Sequence, residues 1–91
     1  MITVKIEDVL SSKGRIRVLK TILKYGAVNI NTIVRETGLS HKLVSKYINE
    51  LLSVGLVWER RYGRLRIIEA RQDDPRIIML KMLLSEDSRG V

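Results

Sequence analysis

Cysteine is absent from this sequence of 91 residues, and histidine occurs once. The lack of cysteine excludes a disulfide framework and any metal site built from thiolates. One histidine can complete a metal site only with several carboxylates, and none cluster near His41. A catalytic base needs a nucleophile and an orienting acid, and the sequence offers no such constellation around His41. We therefore expect no metal, no cofactor and no enzymatic activity.

Long apolar runs are also missing. No stretch approaches the length of about 18 residues that a membrane span requires, and no signal-peptide pattern opens the chain. We therefore expect a cytoplasmic protein without a membrane partner. The length suits one small domain, and the hydrophobic share of 45% is typical of a globular protein. Because so small a chain buries only a modest fraction of its surface, a second copy would add considerably to its stability.

Positive charge is in excess, and it is unevenly distributed. The formal net charge is +7 at pH 7. Residues 1–66 hold 13 of the 17 lysines and arginines but only 5 of the 10 acidic residues. A surplus that served solubility alone would not need this asymmetry. The first two thirds of the chain are therefore predicted to meet a polyanion.

Residues 41–54 have the periodicity of an amphipathic helix. At 100° per residue the apolar side chains fall on one side, and the polar ones fill an arc of about 140° on the other. Ser40 is placed to cap the helix N-terminus. The alternative is that this polar face is merely solvated and has no binding role, because any exposed helix face is polar. The candidates for reading bases or gripping phosphates are Ser40, His41, Lys42, Ser45, Lys46 and Asn49.

A shorter helix is predicted just before this one, over residues 32–37 with Asn31 as its cap. The connection 38–40 is tight and contains a glycine. A helix, a tight turn and a second helix with a polar face form the helix-turn-helix arrangement. Upstream, residues 1–7 suggest a short strand or a loose arm, residues 8–25 a helix with a break near 11–14, and residues 27–30 a strand that pairs with a later hairpin.

Two short β-prone runs around Tyr62 and Gly63 predict that hairpin, with Gly63 supplying the positive φ that a two-residue turn requires. Strand alternation predicts that Arg64 and Arg66 share one face. One arginine of the hairpin could instead pair with Glu59 or Glu69. Arginine suits phosphate forks and narrow minor grooves. The candidate contacts of the hairpin are Arg60, Arg61, Arg64 and Arg66.

Residues 14–69 resemble a winged-helix DNA-binding domain of the broad ArsR/MarR-like group, of archaeal type. The segments that carry the resemblance are RIRVLKTILKYG, INTIVRETGLSHKLVSKYINELLSVGLV and ERRYGRLRI. The resemblance implies that the helix at 40–54 enters the major groove and that the hairpin at 58–68, the wing, touches the DNA backbone or the minor groove. Metal-sensing members of this group bind metal through cysteines or clustered histidines. This chain has neither.

The sequence changes character after Glu69. Asp74 followed by Pro75 is a strong helix start, and the run RIIMLKMLLS leaves almost no polar side. Such a helix must be buried from more than one direction, either against its own domain and a second copy or wholly onto the first helix. We predict a homodimer. The predicted contacts in this dimerisation helix, residues 74–86, are Ile77, Ile78, Leu80, Met82 and Leu84.

These observations predict a mainly α fold with a small β-hairpin wing (α+β), in which residues 1–70 bind DNA and the C-terminal helix dimerises within the same domain. The predicted function is that of a dimeric regulator of transcription on double-stranded DNA, associated with the nucleoid, with half-sites about 34 Å apart. One alternative is an architectural chromatin protein that binds without sequence preference. The other is a winged-helix module that docks on protein. The wealth of Arg, Ile and Leu with little Gln is typical of a thermophile.

Overall fold

The computed structural model describes residues 4–84. Within them, the helices are α1 (Ile6–Val9), α2 (Lys13–Tyr25), α3 (Ile30–Thr37), α4 (His41–Ser53) and α5 (Pro75–Leu84). The strands are β1 (Ala27–Asn29), β2 (Val57–Tyr62) and β3 (Leu65–Ala70), which form an antiparallel sheet in the order β1-β3-β2. The predicted mainly helical α+β fold is confirmed. Helices α3 and α4 form the helix-turn-helix, and the β2–β3 hairpin is the wing.

The N-terminal part of the chain forms two helices rather than one. Ser11 donates a hydrogen bond to the carbonyl of Asp8, and Ser12 caps α2 by accepting from the backbone N–H of Arg15 at 3.2 Å. The predicted break near residues 11–14 is therefore confirmed. The alternatives predicted for residues 1–7 need correction, because Asp8 accepts from the backbone N–H of Lys5 and α1 begins at residue 6. Residues 1–3 lie outside the described part.

Local capping fixes the two helices of the helix-turn-helix. The side chain of Ser40 accepts from the backbone N–H of Leu43 at 3.1 Å, as predicted. The cap of α3 is Asn29, whose side chain accepts from the N–H of Asn31 at 2.8 Å. The prediction of Asn31 as the cap was therefore wrong. Asn29 ends β1 in an extended conformation, which leaves its side chain free to turn back onto the helix, whereas Asn31 is already helical.

The sheet buries one face and exposes the other. Val28, Val57, Ile68 and Ala70 are buried against the helices. Strand alternation sends Trp58, Tyr62 and Leu65 to the outer face, where all three are exposed. The predicted pairing of the strand at residues 27–30 with the hairpin is confirmed, since Val28 lies opposite Ile68.

Helix α5 packs against its own domain through one side only. Ile77 and Leu80 are buried in the same core as the apolar sides of α2 and α4. These two residues therefore cannot contact a second copy, which corrects two of the five predicted dimer contacts. None of the helices within residues 4–84 is long and apolar enough to cross a membrane. Residues 85 and 86, predicted to continue the helix, lie outside the described part.

Candidate nucleic-acid interface

Packing against the core orients the polar face of α4 outward. Val44, Ile48 and Leu51 are at most 2% exposed, so their side of the helix is fixed. The six candidates from the sequence share the opposite side or its N-terminal edge. All are exposed except Ser45, which is half-buried, and they are Ser40, His41, Lys42, Ser45, Lys46 and Asn49. The structure therefore brings the predicted recognition residues together on one surface.

This surface contains a shallow depression. Lys42, Ser45, Lys46 and Asn49 line it together with three residues that sequence reasoning did not select, namely Val4, Glu50 and Ser53. Glu50 and Ser53 lie on the polar arc of α4, so the helical period could have identified them. Val4 comes from the segment before α1, and no local pattern indicates its position there.

Two lysines, Lys42 and Lys46, lie on the polar face of α4. Among residues 4–84, neither Lys42 nor Lys46 has an ion pair or a side-chain hydrogen bond. The nearby carboxylate of Glu50 is instead held by Arg15 from α2, with distances of 2.7 Å from Nε and 3.0 Å from Nη2. Positive charge on this face is thus available to an outside anion.

The arginines of the wing are mostly paired. Arg60 lies 3.0 Å from Glu69, while Arg61 and Arg66 both donate to Glu59 at about 3 Å. The prediction allowed one such pair, and the structure has three. Glu59 lies on the same sheet face as Arg61 and Arg66, and Glu69 lies on the opposite face with Arg60. The pKa of the Glu59 carboxyl is lowered, first by the hydrogen bond from Arg66.

Arg64 differs from the other three arginines. Tyr62 pairs with Leu65, so Gly63 and Arg64 form the two-residue turn, with Gly63 at a φ of 62°. Because Arg64 lies in the turn rather than on a strand, the prediction that it shares a strand face with Arg66 was wrong. Among the described residues Arg64 has no ion pair, and it stands at the tip of the wing.

The outer face of the wing carries an aromatic side chain with a cation above it. The guanidinium carbon of Arg71 lies 3.8 Å from the ring centroid of Trp58, and its Nη1 donates to the carbonyl of Gly55 at 3.3 Å. Trp58 is therefore held against the hairpin although its exposed fraction is 45%. This stacking joins the end of β3 to the start of β2 and fixes the base of the wing.

The described residues contain no group of His, Cys, Asp and Glu side chains that could hold a metal ion. The arrangement is one of cations and small polar side chains on α4, together with a basic turn at the tip of the wing. Such a surface can bind an anionic polymer through charge and hydrogen bonds.

No protein-family model matches the chain, and no curated relative matches it. Solved structures do. The AntR antimony-specific transcriptional repressor is 20% identical, with a TM-score of 0.73 over 90% of this chain and 73% of that one. NolR from Sinorhizobium fredii is 20% identical, with a TM-score of 0.72 over 89% and 78%. A homodimeric winged helix-turn-helix DNA-binding domain from Mycobacterium bovis, a possible ArsR-family regulator, is 23% identical, with a TM-score of 0.67 over 90% and 73%.

These likenesses confirm the winged helix-turn-helix fold that the resemblance implied. The archaeal and thermophilic origin remains a prediction.

Proposed function

We propose that this protein is a double-stranded DNA-binding regulator of transcription rather than an enzyme, with a cytoplasmic, nucleoid-associated location. The observation that carries the proposal is the uncommitted polar and cationic face of α4, presented by the second helix of a helix-turn-helix. The resemblance to repressor structures supports the same function.

In this proposal α4 enters the major groove. Asn49 can bond the two edge groups of adenine, and Ser45 can bond either a base or a phosphate. Lys42 and Lys46 reach phosphates or guanine acceptors. Ser40 and His41, at the N-terminal end of the helix, face the sugar-phosphate backbone.

The wing contributes mainly through Arg64. Its position in the turn and its lack of an ion pair within the described residues suit it to a phosphate or the minor groove. Arg60 and Arg61 are 60% and 65% exposed, so each can exchange its carboxylate for a phosphate. Arg66 is only 19% exposed, and we assign it to the structure of the hairpin instead.

The dimer in this proposal uses the outer side of α5. Ile78, Met79, Met82 and Leu83 are 52–76% exposed and form one apolar surface on the helix. Leu84 packs partly against the core on the same side of α5 as Ile77 and Leu80, so we leave it out of this surface. A monomer rarely leaves such a surface in water, and a second copy would cover it. The homodimeric domain from Mycobacterium bovis has the same fold.

The test is duplex binding by fluorescence anisotropy, on a random pool and on sequences selected from that pool, across a salt series. A regulator gives steep salt dependence and a preference of about 10³-fold or more for selected sites. Steep salt dependence without preference would identify the architectural protein instead. Absence of duplex binding at low salt would refute the proposal and favour a protein-docking module.

A further inference from the structure

The ion pair between Arg15 and Glu50 joins α2 to the recognition helix. It is bidentate, and the two side chains are only 21% and 15% exposed. The guanidinium carbon of Arg15 also lies 4.6 Å from the ring centroid of Tyr47. Arg15 therefore contacts two residues of α4 that lie one turn apart, and Ser12 at the cap of α2 accepts from its Nη1 at 3.3 Å.

Glu50 stands next to the surface that the proposed function assigns to DNA. It follows Lys46 by four positions on the same helix, and both residues line the same depression. Side chains at this spacing are neighbours, and a lysine and a glutamate so placed attract each other. Nevertheless, within residues 4–84 no ion pair joins Lys46 to Glu50, because Arg15 occupies both carboxylate oxygens.

We propose that Arg15 is a positioning residue of the DNA-binding surface, which sequesters Glu50 and thereby keeps Lys46 available to a phosphate. The inference rests on the proposed function. Arginine suits this role because its planar fork matches a carboxylate at two points and its face stacks on an aromatic ring. Without Arg15, the carboxylate would pair with Lys46 or face the phosphates directly, and either arrangement opposes binding.

A double-mutant cycle separates this role from a purely structural one. In Arg15→Gln the carboxylate of Glu50 is free to pair with Lys46, which then no longer contacts a phosphate. Duplex affinity should then fall about three- to tenfold, and the slope of log K against log salt should fall by about 1, as for one lost phosphate contact. Glu50→Gln should bind the duplex at least as well as wild type, because position 50 then has no carboxylate that could pair with Lys46 or repel a phosphate. The double variant should recover the wild-type slope.

The matched control is Lys24→Gln, which removes one cation from the same helix and one of the two partners of a carboxylate on another helix, Glu36, leaving the hydrogen bond from Tyr25. It should keep the wild-type salt slope. If Glu50→Gln weakened binding as much as Arg15→Gln, the ion pair would serve only to hold α2 and α4 together, and the proposal would be overturned. The proposal would also be overturned if Arg15→Gln bound the duplex with the same affinity and salt slope as the Lys24→Gln control.

A second measurement needs no DNA, so it distinguishes failure of this inference from failure of the proposed function. Brief acetylation with an amine-reactive reagent, read by mass spectrometry at Lys46, reports whether that amine is engaged. Labelling of Lys46 should slow several-fold in Arg15→Gln and recover in the double variant. Unchanged labelling in a variant that circular dichroism shows to be folded would overturn the inference whatever the protein binds.

Discussion

Arg66 and Glu59 are joined across the two strands of the wing, with Nε and Nη2 of Arg66 at 3.0 and 2.9 Å from the two carboxylate oxygens. Both side chains are less than 20% exposed. Arg61 donates to the same carboxylate from the solvent side. The carboxylate of Glu59 thus fixes the hairpin from within the wing. Arg64, in the turn, is the wing arginine that has no ion pair among the described residues.

The first prediction separates these two arginines. Arg64→Ala should weaken duplex binding, with a salt slope smaller by about 1, and should leave the thermal midpoint unchanged. Arg66→Ala should lower the free energy of unfolding by about 1–3 kcal/mol, because it leaves a largely buried carboxylate with one exposed partner. Anisotropy and thermal denaturation of both variants test this. A loss of binding confined to Arg66→Ala, at full stability, would contradict it.

Local signals explain which parts of the wing and α4 could be predicted. The helical period located α4, and Ser40 precedes it at the position where a hydroxyl caps a helix. The number of arginines in the hairpin could also be read from the sequence. The pairing of these arginines with carboxylates could not be predicted, because it depends on which residues share a sheet face. The exact position of the turn decides which residues share a face. A turn at 63–64 puts Arg64 in the loop.

Long-range packing accounts for what the sequence did not reveal. The run from Ile77 to Leu84 is apolar on every side, so its period cannot say that Ile77 and Leu80 face inward while Met82 faces out. Likewise, Arg15 and Glu50 are 35 positions apart, and no local pattern connects them. Both features follow from how α2, α4 and α5 meet.

The second prediction concerns Ser40, which has both a capping role in the structure and a proposed place at the DNA backbone. Ser40→Ala should lower the free energy of unfolding by about 1 kcal/mol, because the N–H of Leu43 loses its acceptor. Ser40→Asp keeps an acceptor and should preserve stability, yet its charge should weaken duplex binding. Chemical denaturation and anisotropy measure the two effects. If Ser40→Asp bound DNA as tightly as wild type, Ser40 would lie away from the backbone.

The third prediction tests the proposed dimer surface. Met82 is 76% exposed, so Met82→Glu should leave the monomer folded while converting a dimer to a monomer in sedimentation velocity. Ile77 is fully buried, so Ile77→Ala should instead cost about 2–5 kcal/mol of stability. Lys81→Gln, on the same helix, changes the net charge by the same one unit and serves as the control. A Met82→Glu variant that sediments like the wild type would refute dimerisation through this side of α5.

The fourth prediction concerns the start of α5. The side chain of Arg76 and its backbone N–H both donate to Asp74, and they lower the pKa of that carboxyl from 3.8 to about 2. Because the pKa is lower in the folded state, the charged carboxylate contributes stability above about pH 4, and that contribution is lost as the pH falls toward 2. The thermal midpoint of Asp74→Asn should therefore lie below that of wild type at pH 5–7, with a difference that shrinks toward pH 2. Asp73→Asn makes the same charge change at an exposed neighbour, and its thermal midpoint should not approach that of wild type as the pH falls. A difference that persisted unchanged at pH 2 would mean that Asp74 acts through its shape rather than its charge.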